Sequence, residues 1–475
     1  MRRTLMVMCL AVVAACAWAS PEESDPSWRP FTRAMEGRDA GAALREAERL
    51  IEEDPRDPFA RYALVRAFAL AGDTEGAADA LRGALSRGFV DFHRLLHDET
   101  MAGLLADELG VWLMENWRAR QDERARVEAE ALLGALGSGY RLIEDAESRL
   151  RLLTALDDED VSVAREELER VAGFASGLFS EASDDRPDPW VLVLIPRAED
   201  ADRLLPQRNA AGVYDHARKA LVVRDIGAAL RHEWFHALHW RHMERTGRFH
   251  PVWVREGLAT LVEDVDLREE ELVVLGSWRT NTARRLAEVG RLRPWDRFVG
   301  LTGERFTRTT PVIHYAQARA LVHWLHDRGE LTSWFALYDE ASVEDPGGLA
   351  SVSRATGMDE RGWGRALRAW LLEQPAVGAP DARRPLGLGL PLRAGEGGVP
   401  VIDRSGVVSD DGVRLRMRDA IVSVDGTPVR TVHELYRTVG ELAEGELVRV
   451  VLDRRGETVE AVFRVRREEE TLGLR

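Results

Sequence analysis

Apolar and polar positions in the N-terminal third of the chain recur at the spacing of amphipathic helices. Between residues 29 and 88, small residues also recur where two helices would approach closely, and the turns are marked by Asp-Pro and Ala-Gly-Asp. An offset of 34 residues relates three pairs of similar positions: Asp39 and Asp73, Ala43 and Ala77, and Ile51 and Leu85. This period predicts stacked helix pairs. Because such stacks need about three repeats, we expect the helices of residues 99–136 to support them.

The pattern changes after residue 139, where short apolar runs alternate with longer helical stretches. Runs at residues 189–196 and 220–223 predict buried strands, and residues 212–214 predict a sheet edge. Helices are predicted at residues 161–179, 226–242, 252–264, 317–329 and 362–372. Strands that lead directly into the apolar helix 226–242 predict an α+β domain over residues 139–373, with this helix lying on the sheet.

The C-terminal part of the chain has the pattern of a separate domain. Residues 374–384 are rich in proline and alanine, which predicts a linker. Beyond it, residues 385–468 alternate short apolar runs with turn signals, as is typical of a small, mostly β domain. The chain is therefore predicted to be multidomain, with a helical repeat segment at 29–136, an α+β domain and a small β domain.

Residues 1–19 have the pattern of an export signal. Two arginines precede an apolar run, residues 5–15, that is too short to span a bilayer as a helix. Residues 17–19 suit an ordinary signal peptidase, whereas residues 13–16 resemble the lipobox of bacterial lipoproteins, whose cysteine, Cys16 in this chain, is acylated. We favour the lipobox, which implies a periplasmic or cell-envelope lipoprotein that touches the membrane only through its lipid. The alternative is a secreted protein.

The net charge and the positions of the cysteines limit which partners and which disulfides are expected. The chain has 81 acidic and 65 basic residues, a formal net charge of -16 at pH 7. No basic stripe is available to neutralise phosphates, so nucleic acid is not expected as a partner. The two cysteines, Cys9 and Cys16, both lie in the N-terminal segment, so the mature protein is expected to have no disulfide.

A short motif in the predicted helix 226–242 indicates a metal site. His232, Glu233 and His236 form the pattern HExxH. On a helix, residues four apart share one face with Cβ atoms about 6 Å apart, so both imidazoles can reach one zinc ion at about 2.0–2.1 Å. Zinc lowers the pKa of a bound water to about 7, and Glu233 lies where it can accept that proton. The motif predicts one zinc ion per chain, with Glu233 as general base.

A carboxylate further along the chain is the candidate third ligand. Glu256 follows Pro251, which suits the first turn of a helix, and a third protein ligand leaves the fourth zinc position open for water. The HExxH motif and the segment around Glu256 resemble the gluzincin peptidases, whose third ligand is a glutamate at this spacing. More narrowly, residues 139–372 resemble the collagenase-like "MA" peptidase family of bacterial envelope proteins. The resemblance implies a zincin-like catalytic domain with metallopeptidase activity.

One alternative third ligand stays open. His242 lies at the spacing at which metzincin peptidases place their third histidine. In that family a glycine breaks the helix before the last histidine, and in this chain His239 occupies the position of that glycine. We therefore favour Glu256, and expect the helix to continue and direct His242 away from the metal. His239 is expected at the rim of the site or beside the ligands.

A peptidase also needs a donor to the oxyanion that forms at the attacked carbonyl. Gluzincins commonly use a tyrosine or histidine for this purpose, and the segment around Tyr315, which opens the predicted helix 317–329, resembles the corresponding segment of the family. Tyr315 is therefore the candidate donor. The alternative is that Tyr315 is a half-buried anchor for that helix.

Both ends of the chain resemble protein-binding modules. The N-terminal helical segment resembles tetratricopeptide repeats, which implies a protein-binding groove or, as we favour, a helical scaffold. Residues 385–465 resemble the PDZ domains of bacterial envelope proteases. Gly387, Leu388, Gly389 and Leu390 match the loop whose backbone N–H groups bind the terminal carboxylate of a peptide. The alternative is a domain that packs on the peptidase and binds no peptide.

Together these features predict a zinc-dependent endopeptidase that cleaves envelope or extracellular proteins, with recruitment of protein or peptide substrates by the PDZ-like domain. The alternative from a different class is a non-catalytic envelope scaffold with a structural or vestigial zinc site. Glu233 disfavours the scaffold, because a structural zinc ion needs no adjacent base and usually has four protein ligands.

Overall fold

The computed structural model describes residues 26–55, 57–89, 91–179, 188–205, 210–216, 218–268, 271–375, 386–395, 399–404 and 406–467. The predicted export signal with Cys16 lies outside these residues, and so does nearly all of the predicted linker at 374–384. No helix within the described ranges is long and apolar enough to cross a membrane. Contacts divide the described residues into two compact units: 26–155, 188–205 and 213–222 form the first, and 156–179, 210–212 and 223–467 form the second.

The N-terminal part of the first unit is helical, as predicted for residues 29–136. Its helices are α1 (Arg29–Glu36), α2 (Ala40–Glu53), α3 (Pro58–Ala71), α4 (Thr74–Ser86), α5 (Phe92–His97), α6 (Ala102–Leu105) and α7 (Glu108–Leu136). Helices α1 to α4 pack consecutively on one another. Their contacts bury small side chains such as Ala47 and Ala63, which let the backbones approach closely.

The offset of 34 residues has a structural cause. Asp39 and Asp73 are the N-caps of α2 and α4, and each carboxylate accepts a hydrogen bond from a backbone amide in the first turn of its helix. Ala43 and Ala77, one turn further on, are both fully buried. Each repeat therefore begins with a capped helix whose first turn packs against its neighbours.

The first unit also contains most of a five-stranded mixed sheet. Its strands lie in the order β1 (Arg141–Asp145), β2 (Leu150–Thr154), β3 (Val191–Ile195), β5 (Ala220–Val223) and β4 (Gly212–Asp215). Strand β3 is parallel to both β2 and β5, whereas β1 is antiparallel to β2. Every residue of β3 is buried, as its continuous apolar run predicts, and β4 lies at the sheet edge. A short helix, α9 (Ala198–Leu204), follows β3.

The second unit has a large helical part. Its helices are α8 (Asp158–Leu178), α10 (Ala228–Thr246), α11 (Val252–Leu261), α12 (Trp278–Glu288), α13 (Trp295–Phe298), α14 (Gly303–Arg308), α15 (Pro311–Asp327), α16 (Leu331–Glu340), α17 (Leu349–Thr356) and α18 (Glu360–Glu373). A hairpin of β6 (Val265–Arg268) and β7 (Glu271–Val274) follows α11. Helix α10 packs on α8 and α11, and α11 packs on α15. The HExxH helix therefore lies within a helical layer.

One helix begins earlier than the sequence pattern predicts. Helix α15 starts at Pro311 rather than at residue 317, because a proline suits the first turn, where its missing N–H group would have had no partner. Tyr315 therefore lies inside α15 instead of before it, and this corrects the prediction that Tyr315 opens the helix.

Residues 386–467 complete the second unit and are called the C-terminal β module below. Its elements are β8 (Leu386–Gly387), β9 (Leu392–Ala394), β10 (Pro400–Ile402), β11 (Ala420–Val424), β12 (Thr427–Pro428), α19 (Val432–Gly440), β13 (Leu447–Arg454), β14 (Glu457–Arg464) and β15 (Arg466–Arg467). The antiparallel sheet β14-β13-β11-β10-β9 encloses an apolar core that includes Ile402, Ile421 and Val450. With helices, a mixed sheet and antiparallel sheets, the chain is a multidomain α+β protein.

Candidate metal centre

Two consecutive helices carry the candidate metal ligands. Helix α10 begins after Gly227, contains the HExxH motif and ends at Gly247, whose φ of 69° is incompatible with a further helical turn. Helix α11 begins directly after Pro251, whose extended backbone starts the new helix at Val252. The sequence thus places a short connection between the two helices, which pack on each other.

His232, His236 and Glu256 converge on one point. The Nε2 atoms of the two histidines are 3.0 Å apart, and Oε2 of Glu256 lies 3.4 Å from each of them. All three side chains are buried. Among the described residues, these three form a group that can hold a metal ion.

The spacing of these three atoms fits a tetrahedral ion. Ligand atoms about 2.0–2.1 Å from a tetrahedral zinc ion lie about 3.3 Å from one another. The separations of 3.0 and 3.4 Å are close to this value. Two imidazole nitrogens and one carboxylate oxygen also match the donor atoms that catalytic zinc sites use. The donor atoms of His232, His236 and Glu256 and the distances between them therefore fit a zinc ion.

The electrostatics of the group favour a cation. Burial alone would raise the pKa of Glu256, but the imidazoles of His236 and His232 hold it well below its usual range, so the carboxylate is ionised. Burial likewise opposes the charged form of His232, but contacts with Glu256 and Glu263 raise the pKa of His232 to about 10. Burial lowers the pKa of His236. The carboxylates of Glu256 and Glu263 thus stabilise a positive charge beside the imidazoles, where a metal ion would bind.

Glu263 orients the first histidine of the motif. Its Oε1 atom lies 2.9 Å from Nδ1 of His232, and its carboxylate accepts two hydrogen bonds from Arg279, at 2.6 and 2.8 Å. Burial would raise the pKa of Glu263, but Arg279 and His232 lower it to about 2, so Glu263 is an anion. A carboxylate beside Nδ1 keeps a proton on that nitrogen, so a metal ion would bind at Nε2 in place of the other proton.

The candidate base Glu233 lies against Gly212. Glu233 is buried, and a Cβ atom at Gly212 would lie 2.8 Å from Cγ of Glu233 and 2.9 Å from Cγ1 of Val223. Real Cβ contacts are not this short, so a side chain at this position would push Glu233 aside. The lack of a Cβ at Gly212 therefore helps to set the position of the candidate base.

Replacing Gly212 with alanine is expected to lower kcat by about tenfold or more, because a displacement of about 1 Å in a catalytic group can cost about a hundredfold. Zinc content should stay at the wild-type level. Steady-state hydrolysis and zinc analysis of the purified variant test this. Gly173→Ala is a matched control, since a Cβ at Gly173 has no neighbour within 4 Å. Wild-type kcat in Gly212→Ala would show that Gly212 does not set the position of Glu233.

Tyr315 lies close to the same group. Its ring centroid is 5.2 Å from Cζ of Arg279 and 5.1 Å from the ring of Phe306. Burial, and then the charge of Glu256, raise the pKa of Tyr315 well above its usual value, so the hydroxyl stays protonated at neutral pH. Helix α15, which carries Tyr315, packs on α11, which carries Glu256.

His242 and His239 belong to a separate cluster. His242 Nε2 and His250 Nε2 lie 3.0 and 3.1 Å from Oδ1 of Asp339, and His239 Nε2 lies 2.8 Å from Nδ1 of His250. Helix α10 continues past His242 to Thr246, as expected without a glycine to break it. The structure therefore brings Glu256, and not His242, to the histidines of the motif, and it buries His239 in this second cluster.

The predicted peptide-binding loop lies at the start of the C-terminal β module. Gly387 pairs with Arg466 between β8 and β15, and Gly389 has a φ of 66°, a conformation that favours glycine. Leu388 and Leu390 pack into the core of the module. Peptide binding by this loop stays a prediction.

No sequence motif predicts the positions of Glu263, Arg279 and Gly212 at this site. Glu263 lies about two helical turns beyond Glu256, a spacing that returns to the same side of a helix and could have indicated a partner for the ligands. Arg279 and Gly212 have no comparable signal, because their roles depend on contacts with residues distant in sequence.

Comparisons with known proteins do not decide the function. No family model and no curated protein matches the chain. Among solved structures, an aminopeptidase N family protein from Idiomarina loihiensis is 13% identical, with a TM-score of 0.31, over 70% of this chain and 67% of that chain. A likeness this weak supports no inference about fold or activity, so the function is argued from the site.

Proposed function

We propose that this protein is a zinc-dependent metalloendopeptidase. The observation that carries the proposal is the buried group of His232, His236 and Glu256, whose ligand atoms lie 3.0–3.4 Å apart on the helices that also carry Glu233. His232, His236 and Glu256 would hold a zinc ion, which would supply a water molecule of lowered pKa for attack on a carbonyl group. A structural zinc site would instead use four protein ligands and would need no adjacent base.

The residues around the group have distinct roles in the proposed reaction. Glu233 accepts a proton from the attacking water and later passes it to the leaving amine. Tyr315 donates a hydrogen bond to the carbonyl oxygen as negative charge develops there. Glu263 keeps His232 in position through the contact at Nδ1, and Arg279 holds Glu263.

The proposed substrates are proteins or peptides of the cell envelope or the extracellular space. The C-terminal β module is proposed to recruit them by binding a peptide terminus at residues 387–390, and Cys16 is proposed to carry a lipid anchor. These parts of the proposal are supported by the sequence resemblances and by a net charge of -16, which disfavours nucleic acid.

Purified protein is expected to contain one zinc ion per chain and to cleave an unfolded protein substrate. Chelation should remove both the zinc and the activity, and added zinc should restore them. A quenched peptide with a blocked amino terminus separates internal cleavage from removal of terminal residues. Zinc without hydrolysis would support the alternative of a non-catalytic scaffold, and a protein that binds no zinc would exclude the proposal.

A further inference from the structure

A buried charge cluster joins the C-terminal β module to the helix that carries the HExxH motif. Arg231, the residue before His232, is only 1% exposed, and its guanidinium contacts Glu167 at 2.9 Å and Asp403 at 3.2 Å. The module also supplies Arg418, which binds Glu167, and Arg393, whose Nε atom lies 3.2 Å from Asp403. Each carboxylate of the cluster is thus shared between an arginine of α10 and an arginine of the module.

Arg231 also holds the chain segment that follows α11. Its Nε donates a hydrogen bond to the carbonyl oxygen of Val262 at 3.0 Å, and a terminal nitrogen donates to the carbonyl oxygen of Glu263. The carboxylate of Glu263 in turn contacts Nδ1 of His232. One guanidinium therefore connects Asp403 of the module to the residue that orients a candidate metal ligand.

The backbone just before α10 allows Asp403 of the module to approach this helix closely. A Cβ atom at Gly227 would overlap the carbonyl oxygen of Asp403 and would lie 3.1 Å from an oxygen of its carboxylate. Glycine is therefore needed for Asp403 to approach the N-terminal end of α10. The contact depends on a glycine of the helical part and on a charged residue of the module.

We propose that docking of the C-terminal β module and metal binding by His232, His236 and Glu256 are linked through Arg231 and Asp403. Asp403 positions the guanidinium, and the guanidinium positions Glu263, which holds His232. By thermodynamic reciprocity, the docked module raises the affinity for the metal, and bound metal stabilises docking by the same factor. The inference rests on the proposed metal site and makes Asp403 a positioning residue.

Asp403→Asn tests the link because it keeps the size of the side chain and removes its charge. Zinc affinity, measured on the full chain by competition with a chromophoric chelator, is expected to fall by about tenfold or more, the effect typical of residues that orient metal ligands. Gly227→Ala is also expected to lower the affinity for zinc. The matched control is Asp453→Asn, the same change within the β13–β14 hairpin of the module, where the carboxylate accepts a hydrogen bond from the backbone amide of Gly456. The zinc affinity of this variant should equal that of the wild type.

The reciprocal effect is measured on the wild-type protein, so it does not depend on whether a variant folds. Removal of zinc is expected to speed hydrogen exchange in residues 392–404 of the module, while the hairpin at residues 447–464 serves as the internal control. If wild type binds zinc but exchange is independent of zinc and Asp403→Asn keeps wild-type affinity, the link is wrong and the proposed function stands. A wild-type protein that binds no zinc would instead overturn the proposed function.

Discussion

Replacing Glu233 with glutamine is expected to lower kcat by about a hundredfold or more while zinc stays bound. Glutamine keeps the shape of the side chain and is about as good a helix former, but it cannot accept the proton of the attacking water. The atoms that converge at the site come from His232, His236 and Glu256, so the metal content should not change. The measurements are kcat on an unfolded protein substrate and zinc per chain in the purified variant.

Glu244→Gln is the matched control, because it makes the same change on the same helix, beyond the motif. Its kcat should equal that of the wild type. Loss of zinc in Glu233→Gln would show that Glu233 is itself a ligand. Retention of both zinc and activity would show that hydrolysis takes place at another site.

Glu256→Ala is expected to lose zinc on dialysis, whereas His242→Ala should retain it. A direct ligand contributes more to metal affinity than the residues that orient ligands, whose loss costs about 10–100-fold. Glu256 Oε2 lies 3.4 Å from both Nε2 atoms of the motif, whereas His242 contacts Asp339. Removal of the His242 imidazole should therefore cost stability, by about 1–3 kcal/mol for a lost buried hydrogen bond, but not zinc.

Zinc analysis after dialysis, with circular dichroism to confirm folding, distinguishes these outcomes. Glu256→Gln serves as a second variant that preserves volume and still weakens the ligand, so a loss of zinc cannot be attributed to collapse of a cavity. Zinc loss in His242→Ala together with zinc retention in Glu256→Ala would favour the metzincin arrangement instead.

Local patterns in the sequence predicted much of what the structure shows. The apolar run at residues 189–196 predicted the buried strand β3, and the aspartates 34 residues apart turned out to be helix N-caps. Helix α15 begins earlier than its apolar periodicity indicates, because Pro311 suits the first turn of a helix. Each of these features depends on residues that are close together along the chain.

Local sequence patterns do not predict contacts between segments that are distant along the chain. Gly212 lies against Glu233, and Arg279 holds Glu263, although nothing in the local sequence relates these residues. The same is true of Arg231 and Asp403, which belong to different elements and meet in one buried cluster. The pattern of apolar residues shows which face of an element is buried, but it does not show which polar groups will meet in the buried space.

The sequence alone predicts that His232 and His236 share one face of a helix, because the pitch of a helix places residues four apart on the same side. It also limited the third ligand to Glu256 or His242. The packing of α11 and α16 beside α10 then places Glu256 next to the two histidines and His242 next to Asp339. Likewise, only packing could join Asp403 to the helix that carries the HExxH motif, because the free energy of a buried charge depends on partners that folding brings together.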